Sequence, residues 1–204
     1  MTNKKQFIYT IGCSNRSSEE FITVLRKYNI QVIVDVRSVP YSSFTPQFNQ
    51  KALKRLLNNN NIIYLSFANE FGARRSESTV YTNNTVDFNK VFRLDVFKKG
   101  IDRVINGLEK GYVISLMCTE YNPIDCHRFS LVSRAFSKIP NISIIHILNE
   151  NKCISNEELE NEMLEQLIIQ PELFETREQL IDQAYKKLEN RVAFRMKQKG
   201  EDYE

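Results

Sequence analysis

The chain has 204 residues, 42% hydrophobic and 26% charged, and 28 basic side chains against 25 acidic give a net charge of +3. This is enough apolar material to fill a core, which excludes global disorder, and the length suits one domain with an appendage. The charge is too balanced to indicate a polynucleotide partner by itself, and no apolar run approaches the roughly 18–20 residues of a membrane span.

Residues 1–6 are polar, and the apolar run 7–11 that follows is shorter than the ~7–15 residues of a signal-peptide core. The chain therefore reads as cytoplasmic. Run 7–11 is the first expected strand. A helix follows from Glu19 to Tyr28, capped by Ser17 or Ser18, with Phe21, Val24 and Leu25 at helical spacing. Residues 32–36 are β-branched and almost wholly apolar, as a strand buried on both faces should be. A helix over 50–58, opened by Asn49, carries Leu53, Leu56 and Leu57. Residues 62–65 form a weaker third strand. The pattern over 88–110 is helical, with Gly100 as a possible break between two helices. A fourth strand at 112–117, a helix over 127–138 and a fifth strand at 142–148 complete the series.

Strands alternating with helices predict a Rossmann-like α/β fold: a mostly parallel sheet of about five strands with helices on both faces. Residues 1–150 are assigned to that domain. Residues 151–204 read as a C-terminal helical extension, with amphipathic helices over 157–169 and 176–199 separated by Pro171. Their apolar stripes, Leu159, Met163, Leu164 and Leu167, then Leu180, Ala184, Leu188 and Val192, are expected to pack on the sheet domain, a protein partner or a second copy. Residues 199–204 are expected to fray.

In an open parallel sheet, ligands bind outside the carboxyl ends of the strands. Each expected strand here is followed by reactive or charged residues. Ser14, Asn15 and Arg16 follow the first; Asp35, Arg37 and Ser42 end or follow the second. Glu70, Arg74 and Arg75 follow the third; Cys118, Glu120, Cys126, His127 and Arg128 follow the fourth. Arg16, Arg37, Arg74, Arg75 and Arg128 are thus expected at one edge, each either gripping a phosphate or carboxylate with its planar fork or bridging Asp35, Glu70 or Glu120 structurally. Ser14, Asn15 and Ser42 join them as candidate anion ligands.

The four cysteines, Cys13, Cys118, Cys126 and Cys153, are expected to be reduced in a cytoplasmic chain. No Cys-x-x-Cys occurs, so zinc-ribbon and thioredoxin signatures are absent. Cys118 ends a buried strand, and Cys126 sits at a helix start, which lowers a thiol's pKa. Both are either core filling or reactive thiols. Cys118, Glu120, Cys126 and His127 are metal-ligand types, but in no known structural-site spacing. Adjacent side chains at a helix start are expected to diverge, which argues against Cys126 and His127 sharing one ion. No metal residue is therefore assigned. His146, flanked by isoleucines, reads as a hydrogen-bonded core histidine. With two histidines in the chain, acid–base work falls to Glu120, Asp35, Glu70 or His127. The aromatic, proline-punctuated stretch 40–49 is either a lid or a loop pinned in the core by Phe44 and Phe48.

The chain resembles the family named only as domain of unknown function 488 (DUF488). The matching pieces are Tyr9-Thr10-Ile11-Gly12 with Ser14-Asn15-Arg16, the run from Val34 to Ser42, Pro46-Gln47-Phe48-Asn49, Phe71-Gly72-Ala73-Arg74, Met117-Cys118-Thr119-Glu120 and Cys126-His127-Arg128. They cover about residues 7–148 in order. Where the family usually has Gly-Gly before its arginine, this chain has Gly72-Ala73. The resemblance implies the Rossmann-like fold and one site at the sheet edge, and no reaction.

The reading is an enzyme, a hydrolase or transferase with Cys/Glu chemistry, acting on a phosphate-bearing small molecule or nucleic acid. The alternatives are a non-catalytic anion- or partner-binding module, and a cysteine-based metal or redox protein. No Gly-x-Gly-x-x-Gly follows the first strand and no P-loop occurs, so NAD, FAD and a P-loop nucleotide site are not expected.

Overall fold

The computed structural model describes residues 5–14, 16–169 and 175–196. In chain order its elements are β1 (Gln6–Gly12), α1 (Ser18–Lys27), β2 (Val32–Asp35), α2 (Gln50–Asn58), β3 (Ile63–Ser66), α3 (Ala68–Phe71), β4 (Tyr81–Thr82), β5 (Thr85–Val86), α4 (Phe88–Val91), α5 (Asp95–Glu109), β6 (Ile114–Cys118), a π-helical segment (Arg128–Ser133), α6 (Arg134–Ser137), β7 (Ile142–Ile147), β8 (Cys153–Ser155), α7 (Asn156–Gln166) and α8 (Arg177–Val192). Asn15 and Pro171, singled out above, lie outside the described residues, as does the segment 197–204. Among the described residues no helix is long and apolar enough to cross a membrane.

Six strands form the main sheet in the order β3-β2-β6-β1-β7-β8. All pairings are parallel except β7 with β8. The sheet is thus α/β and Rossmann-like, with one strand more than expected. β8 is three residues long, too short to register as an apolar run. β2 and β6 are buried at every position because helices cover both faces. α1 and α2 cover one face through Phe21, Leu25, Leu53 and Leu57; α5, the π-helical segment and α6 cover the other through Phe97, Val104, Leu131 and Phe136.

Two helical details differ from expectation. Gly100 does not break a helix: α5 runs through it, and the break lies at 92–94. A Cβ at Gly100 would come within 2.7 Å of Glu70 Cβ and 2.8 Å of Phe71 Cε1, so glycine there permits close packing against α3. The segment 127–138 is π-helical before it becomes α-helical. Its π hydrogen-bonding is of the kind often found beside functional sites. Ser17 caps α1, its side chain accepting from Glu20 N while the Glu20 side chain accepts from Ser17 N.

α7 and α8 pack on the sheet domain. Leu159 and Met163 of α7, with Ala184, Tyr185 and Leu188 of α8, form one buried cluster with Ile124, Phe129 and Ile154. The apolar stripe of the C-terminal helices is therefore covered from within the chain. Stretch 40–49 is pinned at one end only: Phe48 is fully buried and Phe44 is 95% exposed.

The topology fixes where a ligand can enter. From β2 the chain passes outward to β3, and from β6 it passes the other way to β7. Adjacent strands whose connections depart in opposite directions leave a crevice between their carboxyl ends. Here it opens between Asp35 and Cys118.

His146 on β7 is fully buried. Its Nε2 lies 3.2 Å from Asn156 Oδ1, an acceptor, so Nε2 carries the proton and Nδ1 accepts from the Thr10 hydroxyl at 2.8 Å. Burial pushes the ring down to about 3 from the ordinary 6.5. Between those values the unfolded chain takes up a proton that the folded chain refuses, so stability falls as pH falls. Wild type and His146→Gln should therefore be compared by thermal unfolding across this window. The wild-type advantage should shrink as pH drops from 6.5 toward 3, and a constant difference would show that His146 is not held neutral.

Candidate functional site

The crevice at the β2/β6 switch encloses about 240 Å³. Cys118, Cys126 and His127 lie in it with Arg37, Glu120 and Arg74. A larger groove of about 480 Å³, lined by Phe92, Phe97, Ile101 and Ala135, lies on the helical face and contains no cysteine, serine or histidine.

Three local features bring the reactive groups together. First, the chain beyond β6 continues to pair with the chain beyond β1: Cys13 N donates to Cys118 O and Ser14 N to Thr119 O. Gly12 permits this approach, since a Cβ there would stand 1.9 Å from Glu120 O. Second, Arg128, fully buried, reaches under the same loop and donates to Glu120 O at 2.6 Å and Tyr121 O at 2.9 Å. Third, His127 Nε2 sits 3.0 Å from Val36 O, just past β2. A carbonyl only accepts, so Nε2 carries the proton and Nδ1 faces the thiols. Nδ1 is 3.8 Å from Cys118 Sγ and 4.0 Å from Cys126 Sγ.

The convergence of Cys126 and His127 corrects the expectation that they diverge. Cys126 is extended, with φ −137° and ψ 139°, between a short 3-10 turn at Pro123–Asp125 and the π-helical segment. Only His127 is helical at that junction, with φ −61° and ψ −19°. The bend turns both side chains to one side. Cys126 Sγ then accepts from Arg128 N at 3.4 Å, one of the free N–H groups at a helix start.

The electrostatics separate the two thiols. The hydrogen bond to Cys126, then burial, and then the Cys126 charge hold the Cys118 thiol well above its usual range. Burial would raise Cys126 too, but the hydrogen bond from Cys118 and the charges of Arg128 and His127 outweigh it and hold it well below an ordinary thiol. Burial works against the charged form of His127, yet its contact with Cys126 and the Val36 carbonyl leave it raised. Glu120 is open to solvent on its outer side; desolvation of its carboxyl by the crevice wall and the adjacent Cys126 raise it above the ordinary carboxylate range. The surroundings therefore favour the ionised form at Cys126 and the protonated forms at His127 and Glu120.

The arginines do not all meet here. Arg37 and Arg74 line the crevice. The Arg37 guanidinium is bound to Asp35, through Nε to Oδ1 at 2.9 Å and Nη2 to Oδ2 at 2.7 Å, and to Phe48 O. Arg75 donates to the Asn69 and Glu70 carbonyls and to Glu77, so it organises its own loop. Arg16 bonds Gly12 O and Leu148 O, stacks on Tyr121, and lines a separate cleft with Asn149 and Lys152. Arg128 lies beneath the floor. Of the two arginines that line the crevice, Arg74 meets no acidic partner among the described residues; its guanidinium rests 4.9 Å from the Phe194 ring centroid.

Three other expectations change. Asp35 is not placed to transfer protons: it is fully buried and accepts from Arg37 and from the Tyr64 hydroxyl at 2.8 Å. Ser42 is turned into its own loop, its Oγ accepting from Phe44 N and Thr45 N. The Glu70 carboxylate pairs with Arg103 on α5. The crevice also has walls that the sequence reading missed, namely Ser38, Ala73, Val192 and Phe194. Val192 belonged to a recognisable apolar stripe, but periodicity gives no sign of what such a stripe meets.

A family model described as a domain of unknown function, DUF488, matches residues 17–135. Comparison with curated proteins and with solved structures finds no match.

The Asp35–Arg37 pair is almost closed to solvent, at 1% and 6% side-chain exposure. Removing one partner of such a pair strands the other charge, at a cost of about 3–5 kcal/mol. Asp35→Ala should lose that much in chemical denaturation. A loss below ~1 kcal/mol, the range of exposed pairs, would mean that water already screens the pair.

Proposed function

The chain belongs to the DUF488 family, and we propose that it is an enzyme using Cys126 as a nucleophile on a small phosphate-bearing substrate held at its anionic end by Arg74. The observation that carries this reading is the charge balance beneath the site. Arg128 is fully buried, and among the described residues no carboxylate pairs with it. An isolated buried cation is expensive unless an anion lies near. The Cys126 thiolate supplies one, with His127 beside it, in the electropositive setting that reactive cysteines require.

The size of the crevice narrows the substrate. About 240 Å³ is below the ~300–1,000 Å³ of a pocket that swallows a whole nucleotide-sized ligand, so it admits a phosphoryl end and leaves the remainder outside. With Arg37 neutralised by Asp35, one free guanidinium suits a single phosphate better than the cation row that a polynucleotide needs.

The step that fits is displacement at phosphorus. The Cys126 sulfur lone pair forms an S–P bond, the P–O bond to the leaving group breaks with its electrons on oxygen, and that oxygen takes the proton of Glu120. Water, or an acceptor hydroxyl, then attacks phosphorus and gives its proton to Glu120. The S–P bond breaks and the thiolate returns. His127 holds its proton throughout and stabilises the sulfur anion.

The test has two parts. Phosphate monoesters are screened for turnover with wild type, Cys126→Ser, Glu120→Gln and Arg74→Ala. Cys126→Ser should abolish turnover, Glu120→Gln should lower kcat, and Arg74→Ala should chiefly raise KM. In parallel, inorganic phosphate at a hundred times its Kd should stabilise wild type by roughly 2.7 kcal/mol in thermal unfolding, and the effect should vanish in Arg74→Ala. Undiminished turnover by Cys126→Ser would overturn the reading.

A further inference from the structure

The same three side chains have a second capacity, which a nucleophile alone does not need. The ligating atoms of Cys118, Cys126 and His127 all lie within 4.8 Å of one another, and all three residues are buried. We infer that Cys118 Sγ, Cys126 Sγ and His127 Nδ1 form a three-donor site for a zinc-like divalent cation, whose binding occupies the Cys126 sulfur.

The geometry is close to that of a bound ion. Zinc takes thiolate sulfur at ~2.3 Å and imidazole nitrogen at ~2.0–2.1 Å in tetrahedral array, which separates the donors by roughly 3.5–3.8 Å. The sulfur-to-nitrogen distances here are 3.8 and 4.0 Å. The two sulfurs and the nitrogen lie within 4.8 Å of one another, so closing the cage to the tetrahedral spacing takes side-chain shifts of about 1 Å or less. The ring of His127 is already turned correctly, because Nε2–H is fixed on the Val36 carbonyl and presents Nδ1 to the sulfurs. Such an outer-shell bond is the usual orienting device for metal-bound histidine.

The donor set also selects its cation. Two thiolates and an imidazole suit zinc and disfavour magnesium and calcium, which want oxygen. Binding displaces the Cys118 thiol proton and the His127 Nδ1 proton to solvent, and the two thiolates then cancel the charge of the divalent ion, so the buried floor gains no net charge beyond that of Arg128. The three donors occupy one side of the ion. The fourth position faces the crevice, where Thr119 and Glu120 stand.

Binding and nucleophilic use exclude each other, because a sulfur lone pair donated to zinc is not available to phosphorus. This inhibitory consequence rests on the thiolate reading above. The site itself rests on the donor geometry alone.

The experiment uses full-length protein freed of metal by a chelator under reducing conditions, with cobalt(II) and zinc as probes. Cobalt should bind one per chain, with a thiolate-to-cobalt charge-transfer band and tetrahedral ligand-field bands, and zinc should displace it. Iodoacetamide should alkylate Cys126 in the metal-free protein, zinc should prevent this, and chelator should restore it. Cys118→Ser should weaken zinc by more than the roughly 10–100-fold that a lost outer-shell partner costs. Cys153→Ser, at an exposed thiol away from the crevice, should change nothing.

The wild-type cobalt spectrum decides the matter even if a variant fails to fold. Absence of the charge-transfer band, or unchanged zinc affinity in a folded Cys118→Ser, overturns the site. Rapid alkylation of Cys126 without zinc protection also overturns the site and leaves the thiolate reading standing. Zinc binding to a protein whose metal-free Cys126 resists alkylation supports the site and removes the thiolate reading and the inhibition with it.

Discussion

The guanidinium of Arg128 lies fully buried beneath the loop that follows β6, and its two terminal nitrogens donate to the carbonyls of Glu120 and Tyr121. Those two bonds tie the loop to the start of the π-helical segment. Each is a charge-assisted bond of the stronger class, worth about 1.5–3 kcal/mol. The loop in turn sets the position of Cys118 at one end and Cys126 at the other. Arg128 also brings an unpaired positive charge to the floor of the crevice, and that charge favours an anion at Cys126. Shape and electrostatics at the site thus have one source.

A second buried pair keeps the opposite wall in place. Asp35 accepts three bonds from Arg37, one of them from its backbone N–H, and one from the Tyr64 hydroxyl across the β2–β3 pairing. Arg37 also ties down the Phe48 carbonyl, so the loop between β2 and α2 is anchored where it enters the core. In this arrangement Arg37 is a rigid, neutralised part of the wall. Arg74, exposed and stacked on Phe194, lines the same crevice with no carboxylate partner among the described residues.

The C-terminal helices matter more to the site than their composition suggests. α8 packs through Ala184 and Leu188 against the region around Phe129, at the root of the π-helical segment. Its last residue, Val192, and Phe194 just beyond it form one side of the crevice. Arg191 pairs with Asp125, the residue before Cys126, at 3.2 Å. The appendage is thereby linked to the segment that positions Cys126.

Much of the fold was determined by the sequence. Apolar runs at 32–36 and 112–117, unbroken by polar alternation, required strands covered on both faces, and the intervening helical periodicities required a mostly parallel sheet. The run of Cys118, Glu120, Cys126 and His127 after one strand predicted that these side chains share the sheet edge, and all four line the crevice there. Tertiary structure decided the rest. β8 is too short to leave a periodic signal and exists because β7 offers it an edge. The convergence of Cys126 and His127 depends on one extended residue at a helix junction, a backbone angle that composition does not encode. Which arginines face a ligand depends on distant partners, since a guanidinium engaged by Asp35 or by backbone carbonyls is the same letter in the sequence as one left free. Side-chain chemistry is local and legible; its availability is set by neighbours that only folding brings near.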